Sequence, residues 1–328
     1  MKIPEVWITV GKRGFNDEDL EKMLNYKIAA FRINTGRSSF DWAYHAISKM
    51  ISLGIHPEQI FLDIGNKKPR VSLKNKDQIN LHIKDIISIS RNATENVDGW
   101  LNNSLFFEKI TLGDIVYFGD GEIECSVVEI SEHYITLKSL SDGTLTNNVS
   151  IGIVGKELAR FKIDSNEVIE VNKILLDYPV CLILSFVEKS DNILWAKKVF
   201  PKAHSIIPKI ETNAAVKNFK SIVDITKTVF IGRGDLGLSV GIEKIGILQK
   251  QLVLQAHKAN CYVAIGTGTL DSLKWSQVPL RAEVIDITNY CYEPVDAIVL
   301  TSETAGSKQP FKAIDFLMKT LFYICQNG

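Results

Sequence analysis

Lys209 and Glu211 stand two residues apart in IIPKIE. On a strand that spacing sends both side chains from one face. An ammonium beside a carboxylate can hold a metal ion and a developing anion together, and it can equally be a salt bridge closing a strand end. FIGRGDLG sets Arg233 and Asp235 between glycines. Such a stretch reads as a glycine turn whose backbone N–H groups can approach an anion, with Asp235 as a ligand for a hard cation. AIGTGTLDS offers Thr267, whose hydroxyl can donate a proton or bind a substrate, or stand in a helix N-cap region. IVLTSETAG adds Thr301, Ser302, Glu303 and Thr304. FRINTG supplies Arg32 and Asn34, and FLDIGNKKPR supplies Asp63, Lys68 and Arg70. The guanidinium forks of Arg32 and Arg70 match phosphate oxygens. Arginines, lysines, acids and a threonine in this combination suit phosphoryl transfer assisted by Mg2+, where positioning and charge neutralisation carry most of the catalysis.

Each of these motifs follows a short β-branched run. The runs are Val6–Val10, Ala29–Ile33, Gln59–Asp63, Val180–Ser185, Ser205–Ile210, Thr228–Gly232, Tyr262–Ile265 and Ala297–Leu300. Helix-length amphipathic stretches separate them, among them Asp41–Leu53, Ile242–Ala259 and a last one at Pro310–Cys325. Near-continuous apolar strands alternating with helices are the pattern of a parallel sheet buried on both faces. The expected fold class is therefore α/β, a parallel (β/α)8 TIM barrel, whose chemistry collects at the C-terminal strand ends. The alternation breaks between Val71 and about Asp164, where short strands and polar turns predominate. Asp120-Gly121 and Asp142-Gly143 are hairpin signals there. These features predict a small all-β domain inserted after the third strand. The expected division is 1–70 and 164–328 for the barrel and 71–163 for the insertion.

With 328 residues, 45% of them hydrophobic, the chain can fill a barrel of roughly 250 residues and still leave material for a second domain. Lys plus Arg and Asp plus Glu balance at 38 each, which leaves no electrostatic footprint for nucleic acid or an anionic membrane. Cys125, Cys181, Cys261, Cys291 and Cys325 are scattered without a CxxC pair, as expected of free thiols in a reducing compartment. There is no apolar run long enough to span a membrane and no leader-like N-terminus. The expected location is cytoplasmic.

The stretches IIPKIETNAAV, VFIGRGDLGLSVGIEKIGILQKQLV, VAIGTGTLDSL, PLRAEVIDITNY and DAIVLTSETAGSKQP, with FRINTG and the Asp63–Arg70 spacing, resemble the pyruvate kinase family over nearly the whole chain. The resemblance is weakest in the insertion. It implies phosphoryl transfer from phosphoenolpyruvate to ADP with formation of pyruvate, driven by ketonisation of the released enol. It implies Mg2+ (or Mn2+) on Glu211 and Asp235, Lys209 bridging to the transferring phosphoryl group, and Thr267 on the proton-delivery side of the enolate carbon. The pyruvate carboxylate would lie on the backbone of Gly234 and Asp235, with phosphate on Arg32 and Arg70. The insertion would be the family's lid over the nucleotide. A homo-oligomer is a further open expectation.

Several positions depart from the family pattern. In the monovalent-cation region Asn34 and Asp63 are kept, but Gly36 and Ile64 replace hydroxyl residues. Lys68 stands where most members carry Glu and is similar to the K+-independent branch, so K+ is expected not to be required. The family's TIGP start reads TVGK here, with Thr9, Gly11 and Lys12, and Asn147–Ile153 lacks the lysine pair of the lid exit. The family's C-terminal domain, which carries effector sites in many members, is not expected here. The enolate half of the site is thus retained and the nucleotide half altered. That leaves open a second reading, a relative with a different phosphate acceptor or substrate, and a third, a non-catalytic regulatory barrel.

Overall fold

The computed structural model describes residues 2–12, 15–65, 68–74, 76–93, 97–101, 103–119 and 121–328. The strands are β1 (Glu5–Val10), β2 (Ala30–Asn34), β3 (Ile60–Ile64), β4 (Arg70–Leu73), β5 (Gln78–Leu81), β6 (Ile86–Ser90), β7 (Gly99–Trp100), β8 (Ile115–Phe118) and β9 (Ile123–Ile130). They continue with β10 (Tyr134–Ser139), β11 (Gly143–Thr146), β12 (Val149–Ile153), β13 (Cys181–Leu184), β14 (Ile206–Ile210), β15 (Thr228–Gly232), β16 (Tyr262–Gly266) and β17 (Ala297–Leu300). The chain divides into two compact units. One comprises Met1–Asn66, Phe161–Leu236 and Lys244–Gly328, and the other Lys67–Arg160 and Gly237–Glu243.

In the first unit eight strands close in the order β1-β17-β16-β15-β14-β13-β3-β2, and every pairing is parallel. This is the parallel barrel that the β-branched runs predict. Its interior is a packed apolar plug. Trp7, Ala30, Phe61, Ile183, Ile207, Phe230 and Ala264 form one buried cluster, in which the Trp7 and Phe61 rings stack at 4.5 Å. Because side chains alternate along a strand, the residues two positions further on turn to the same interior. They are Thr9, Arg32, Asp63, Ser185, Lys209, Gly232 and Gly266. One alternation step thus separates an apolar floor from a polar ring nearer the C-terminal strand ends.

Most predicted boundaries move by a residue or two. The helix expected at Asp41–Leu53 runs Phe40–Ser52 behind an N-cap at Ser39, and the last helix extends over Pro310–Asn327. One element differs in kind. Arg233-Gly234-Asp235, read as a glycine turn, opens an α-helix at Arg233–Val240. The helix expected over Ile242–Ala259 begins as a short 3-10 turn, Ile242–Lys244, followed by Ile245–Lys258.

The second unit holds a closed sheet of its own, in the order β10-β6-β7-β4-β12-β8-β9, and a separate β5–β11 pair. Phe106, Phe118, Ile89 and Leu137 are among its fully buried residues. β8 and β9 form the hairpin expected around Gly121, while Asp120 lies outside the described residues. Asp142-Gly143 makes no hairpin: it leads into β11, which pairs antiparallel with β5 and not with β10. The Asp142 carboxylate accepts from the Ile83 amide instead, so this Asp serves a loop contact and not a two-residue turn.

Candidate active site

The polar ring of the barrel unit is a connected set of charges. Arg32, on β2, donates through Nε (2.9 Å) and Nη2 (2.6 Å) to Asp63 Oδ2 on β3. Its Nη1 donates to Thr9 Oγ1 at 3.0 Å, and that hydroxyl donates to the Leu300 carbonyl. Ser185 Oγ donates to Asp63 Oδ1 at 2.8 Å. Lys209 Nζ lies 3.4 Å from Asp63 Oδ2 and 2.8 Å from Glu211 Oε1. The second Glu211 oxygen accepts the Phe186 amide at 3.1 Å. Phe186 takes φ 56, a left-handed backbone that few L-residues adopt. Beneath the two cations sits the Phe230 ring, 5.7 Å from the Arg32 guanidinium and 5.5 Å from the Lys209 ammonium.

All four charged residues are buried, and at the two carboxylates burial and the neighbouring charges act together. Burial raises the Asp63 carboxyl, but Lys209 and Arg32, with the Ser185 and Arg32 hydrogen bonds, outweigh it and hold Asp63 below the usual carboxylate range. Glu211 goes the other way. Burial is the main cause; Lys209 opposes it, and the charges of Asp235 and Asp63 add to it, so that Glu211 is pushed up to about 7.

Lys209, Glu211, Asp63 and Arg32 are therefore assembled into one cluster, with Asp235 close enough to repel Glu211. Gly234 and Asp235 occupy the first turn of the helix Arg233–Val240. Asn34 is the register neighbour of Asp63, and its carboxamide oxygen accepts from the Gly36 amide. Thr267 follows β16 directly, with φ 78. Lys68 and Arg70 belong to the second unit, where Arg70 Nη1 donates to the Asn148 carbonyl.

A profile of the family described as pyruvate kinase, barrel domain, matches residues 2–314. The chain belongs to the pyruvate kinase family. It is similar to the pyruvate kinase of Thermotoga maritima, at 28% identity over 97% of this chain and 70% of that enzyme. That of Buchnera aphidicola from Acyrthosiphon pisum is 28% identical over 98% of this chain and 68% of its own length, and that of Thermococcus litoralis 28% over 95% and 67%.

On this pyruvate kinase barrel the donor set suits a small hard divalent ion. Glu211 and Asp235 are oxygen donors whose mutual repulsion a cation would relieve. Among the described residues no group of three or more His, Cys, Asp or Glu forms a metal cluster. Mg2+ is commonly held by one or two carboxylates, with water and substrate oxygens completing its shell, so two carboxylates are an adequate set. Sequence reasoning missed Ser185, Phe186 and Phe230 as parts of the site. Ser185 follows Ile183 by one alternation step, the signal that could have found it. The backbone conformation of Phe186 leaves no comparable trace in the sequence.

Proposed function

We propose that the chain transfers the phosphoryl group of phosphoenolpyruvate to ADP and releases pyruvate. The observation that carries this reading is the buried chain Thr9–Arg32–Asp63–Lys209–Glu211 at the barrel's strand ends. It fixes two cations in a dry setting, where an anion is stabilised far more than in water. Arg32 uses three of its five N–H donors on Asp63 and Thr9. Among the described residues that leaves two donors for phosphate oxygens. Lys209, held between two carboxylates, bridges to the departing phosphoryl group. The first-turn amides of Gly234 and Asp235 receive the substrate carboxylate at a helix N-terminus. The Thr267 hydroxyl serves the proton that reaches the enolate carbon. Mg2+ or Mn2+ held by Glu211 and Asp235 would supply a divalent charge that neutralises the phosphoryl and enolate oxygens. The second unit takes the part of the family's lid, and Arg70 is its candidate phosphate ligand. Lys68 supplies the charge that K+ would otherwise bring, and the protein works in the cytoplasm.

One observation favours a second reading, with another phosphate acceptor. Asn147 and Asn148 stand where the family's lysine pair would be sought, and both serve the second unit's own sheet: Asn147 accepts the Leu73 amide and Asn148 the Arg70 guanidinium. An acceptor screen separates the two readings. Phosphoenolpyruvate and Mg2+ are offered with several nucleoside diphosphates and with other phosphate acceptors, and pyruvate release is followed. Turnover with ADP supports the first reading, and turnover only with a different acceptor supports the second. Asp235→Ala should lower that turnover by about three orders of magnitude while the unfolding midpoint stays in place, because the lost carboxylate is half-buried and not part of the core. Near-normal turnover in this variant would remove Asp235 from the site. Replacing K+ with tetramethylammonium at fixed ionic strength should leave the rate unchanged, and a several-fold fall would defeat the Lys68 assignment.

A further inference from the structure

Thr267 is β-branched, yet it holds φ 78, and Gly268 beside it holds φ 74. Left-handed backbone at a β-branched residue persists only where surrounding structure imposes it. The structure contains the restraint. Arg233 donates to the Thr267 carbonyl twice, through Nε at 2.9 Å and Nη2 at 2.6 Å. The far side of the same guanidinium is also tied down. Nη1 donates to Asp286 Oδ2 at 2.5 Å, and the hydroxyl of Tyr290 donates to that same oxygen at 2.6 Å. The Tyr290 ring lies 5.4 Å from the guanidinium carbon, and Tyr290 has no exposed surface. A fork gripped along two edges and stacked on a buried ring has almost no rotational freedom left.

The position of Arg233 in the chain gives this clamp a use. It is the residue immediately before Gly234 and Asp235 on the helix Arg233–Val240. One side chain therefore couples the turn that carries Gly234 and Asp235 to the strand end that carries Thr267. We propose that Arg233 is a positioning residue for proton delivery. It holds the Thr267 backbone in its left-handed conformation and so sets where the Thr267 hydroxyl stands relative to the substrate carried by the neighbouring turn. This rests on the role given to Thr267 above. Among the described residues Arg233 donates to the Thr267 carbonyl and to Asp286 and lies over the Tyr290 ring, so its action on the reaction passes through Thr267.

A double-mutant cycle tests this with two partial reactions, the Mg2+-dependent exchange of pyruvate methyl protons into D2O and pyruvate release from phosphoenolpyruvate with the acceptor that the screen finds. Arg233→Lys keeps the charge beside Asp286 and lacks the fork. It is expected to fold and to slow methyl-proton exchange at least tenfold, with the KM for phosphoenolpyruvate changed less than threefold. Arg233→Met should slow exchange further. In a Thr267→Ala background, which keeps the carbonyl and loses the hydroxyl, either Arg233 substitution should slow exchange by less than twofold more. Effects of Arg233 and Thr267 that multiply would overturn the proposal, because Arg233 would then act independently of the hydroxyl. An Arg233→Lys protein that exchanges at the normal rate would overturn it as well, as would equal losses in exchange and in KM, the mark of a general structural role. If Thr267→Ala itself exchanges normally, the role given to Thr267 fails first, a result separable from failure of the clamp. A readout independent of turnover is the Thr267 backbone in a crystal structure of Arg233→Met: φ should leave the left-handed region, and a retained φ near 78 would count against the clamp.

Discussion

Asp63 is the residue on which the buried charges converge. It accepts from Arg32 and Ser185 and faces Lys209, with no exposed surface. Asp63→Asn keeps the shape and removes the countercharge, leaving two cations without their shared partner. Breaking a buried pair on one side typically costs about 3–5 kcal/mol. Urea unfolding at pH 7 should show a loss of that size, and a loss under about 1 kcal/mol would mean that the cluster is solvated. Since Asp63 sits below its ordinary value of 3.8, its charge supports the fold above about pH 4 and is lost only as acid passes below that. Glu303 has the opposite sign. It accepts from the Thr301 amide and hydroxyl, yet burial, with Asp271 nearby, pushes it from 4.5 up to about 7. The folded protein therefore holds this proton more tightly than the unfolded chain, and stability declines as pH climbs from about 4.5 towards 7, by at most about 3 kcal/mol. Glu303→Gln should show a smaller difference in urea midpoint between pH 5 and pH 8 than the unmodified protein. An equal difference in the two proteins would detach Glu303 from the effect.

At the scale of the element, the polar ring depends on residues that leave space. A Cβ on Gly232 would stand 3.0 Å from Glu211 Cγ and Oε1, and one on Gly266 would stand 2.8 Å from the Phe230 ring. Gly232→Ala therefore crowds the carboxylate, and Gly266→Ala crowds the ring under both cations. Each should destabilise the barrel by about 1–3 kcal/mol, and Gly232→Ala should also weaken divalent-ion binding, measured by calorimetry. Unaltered stability and binding would show that the strand ends have slack. The barrel itself was legible because strands such as Cys181–Leu184 and Ala297–Leu300 are apolar at every position and recur between amphipathic stretches. The helix Arg233–Val240 was not. Two glycines, a serine and a valine among its eight residues have poor helix propensity, so the helix is imposed by its surroundings and not by local preference. Lys209 and Glu211 were legible as a pair from their spacing, whereas the tie of Arg233 to Asp286 joins residues 53 apart and no local pattern announces it. For the same reason Asp63, read as part of an ion site, gave no sign that Arg32 and Lys209 would meet on it.

At the scale of the whole molecule, the barrel unit carries large apolar side chains that are exposed among the described residues. On the helix Ile245–Lys258, Ile247 and Leu254 are 70% and 51% exposed, and on the helix Arg281–Tyr292, Ile285 and Tyr292 are 61% and 66% exposed. Each pair is two helical turns apart and so shares one face of its helix. The helices follow β15 and β16, which are neighbours in the barrel, and a Lys250–Glu293 contact of 3.4 Å links them. Trp275, Val278 and Leu280, in the segment leading into the second helix, are 70%, 68% and 58% exposed. Exposed apolar side chains in such number are a candidate association surface. We propose a second copy of the chain as the occupant, because a net charge of zero sets up no long-range repulsion between copies and a two-fold axis would set the same two helices against themselves. Sedimentation velocity should show a dimer or larger species at micromolar concentration. Ile247→Glu with Ile285→Glu should return it to monomer while leaving the thermal midpoint of the barrel within about 2 °C, since exposed substitutions change folding stability little. An unmodified chain that sediments as a monomer throughout that range, or a double variant that still associates, would show that this face is not where copies meet.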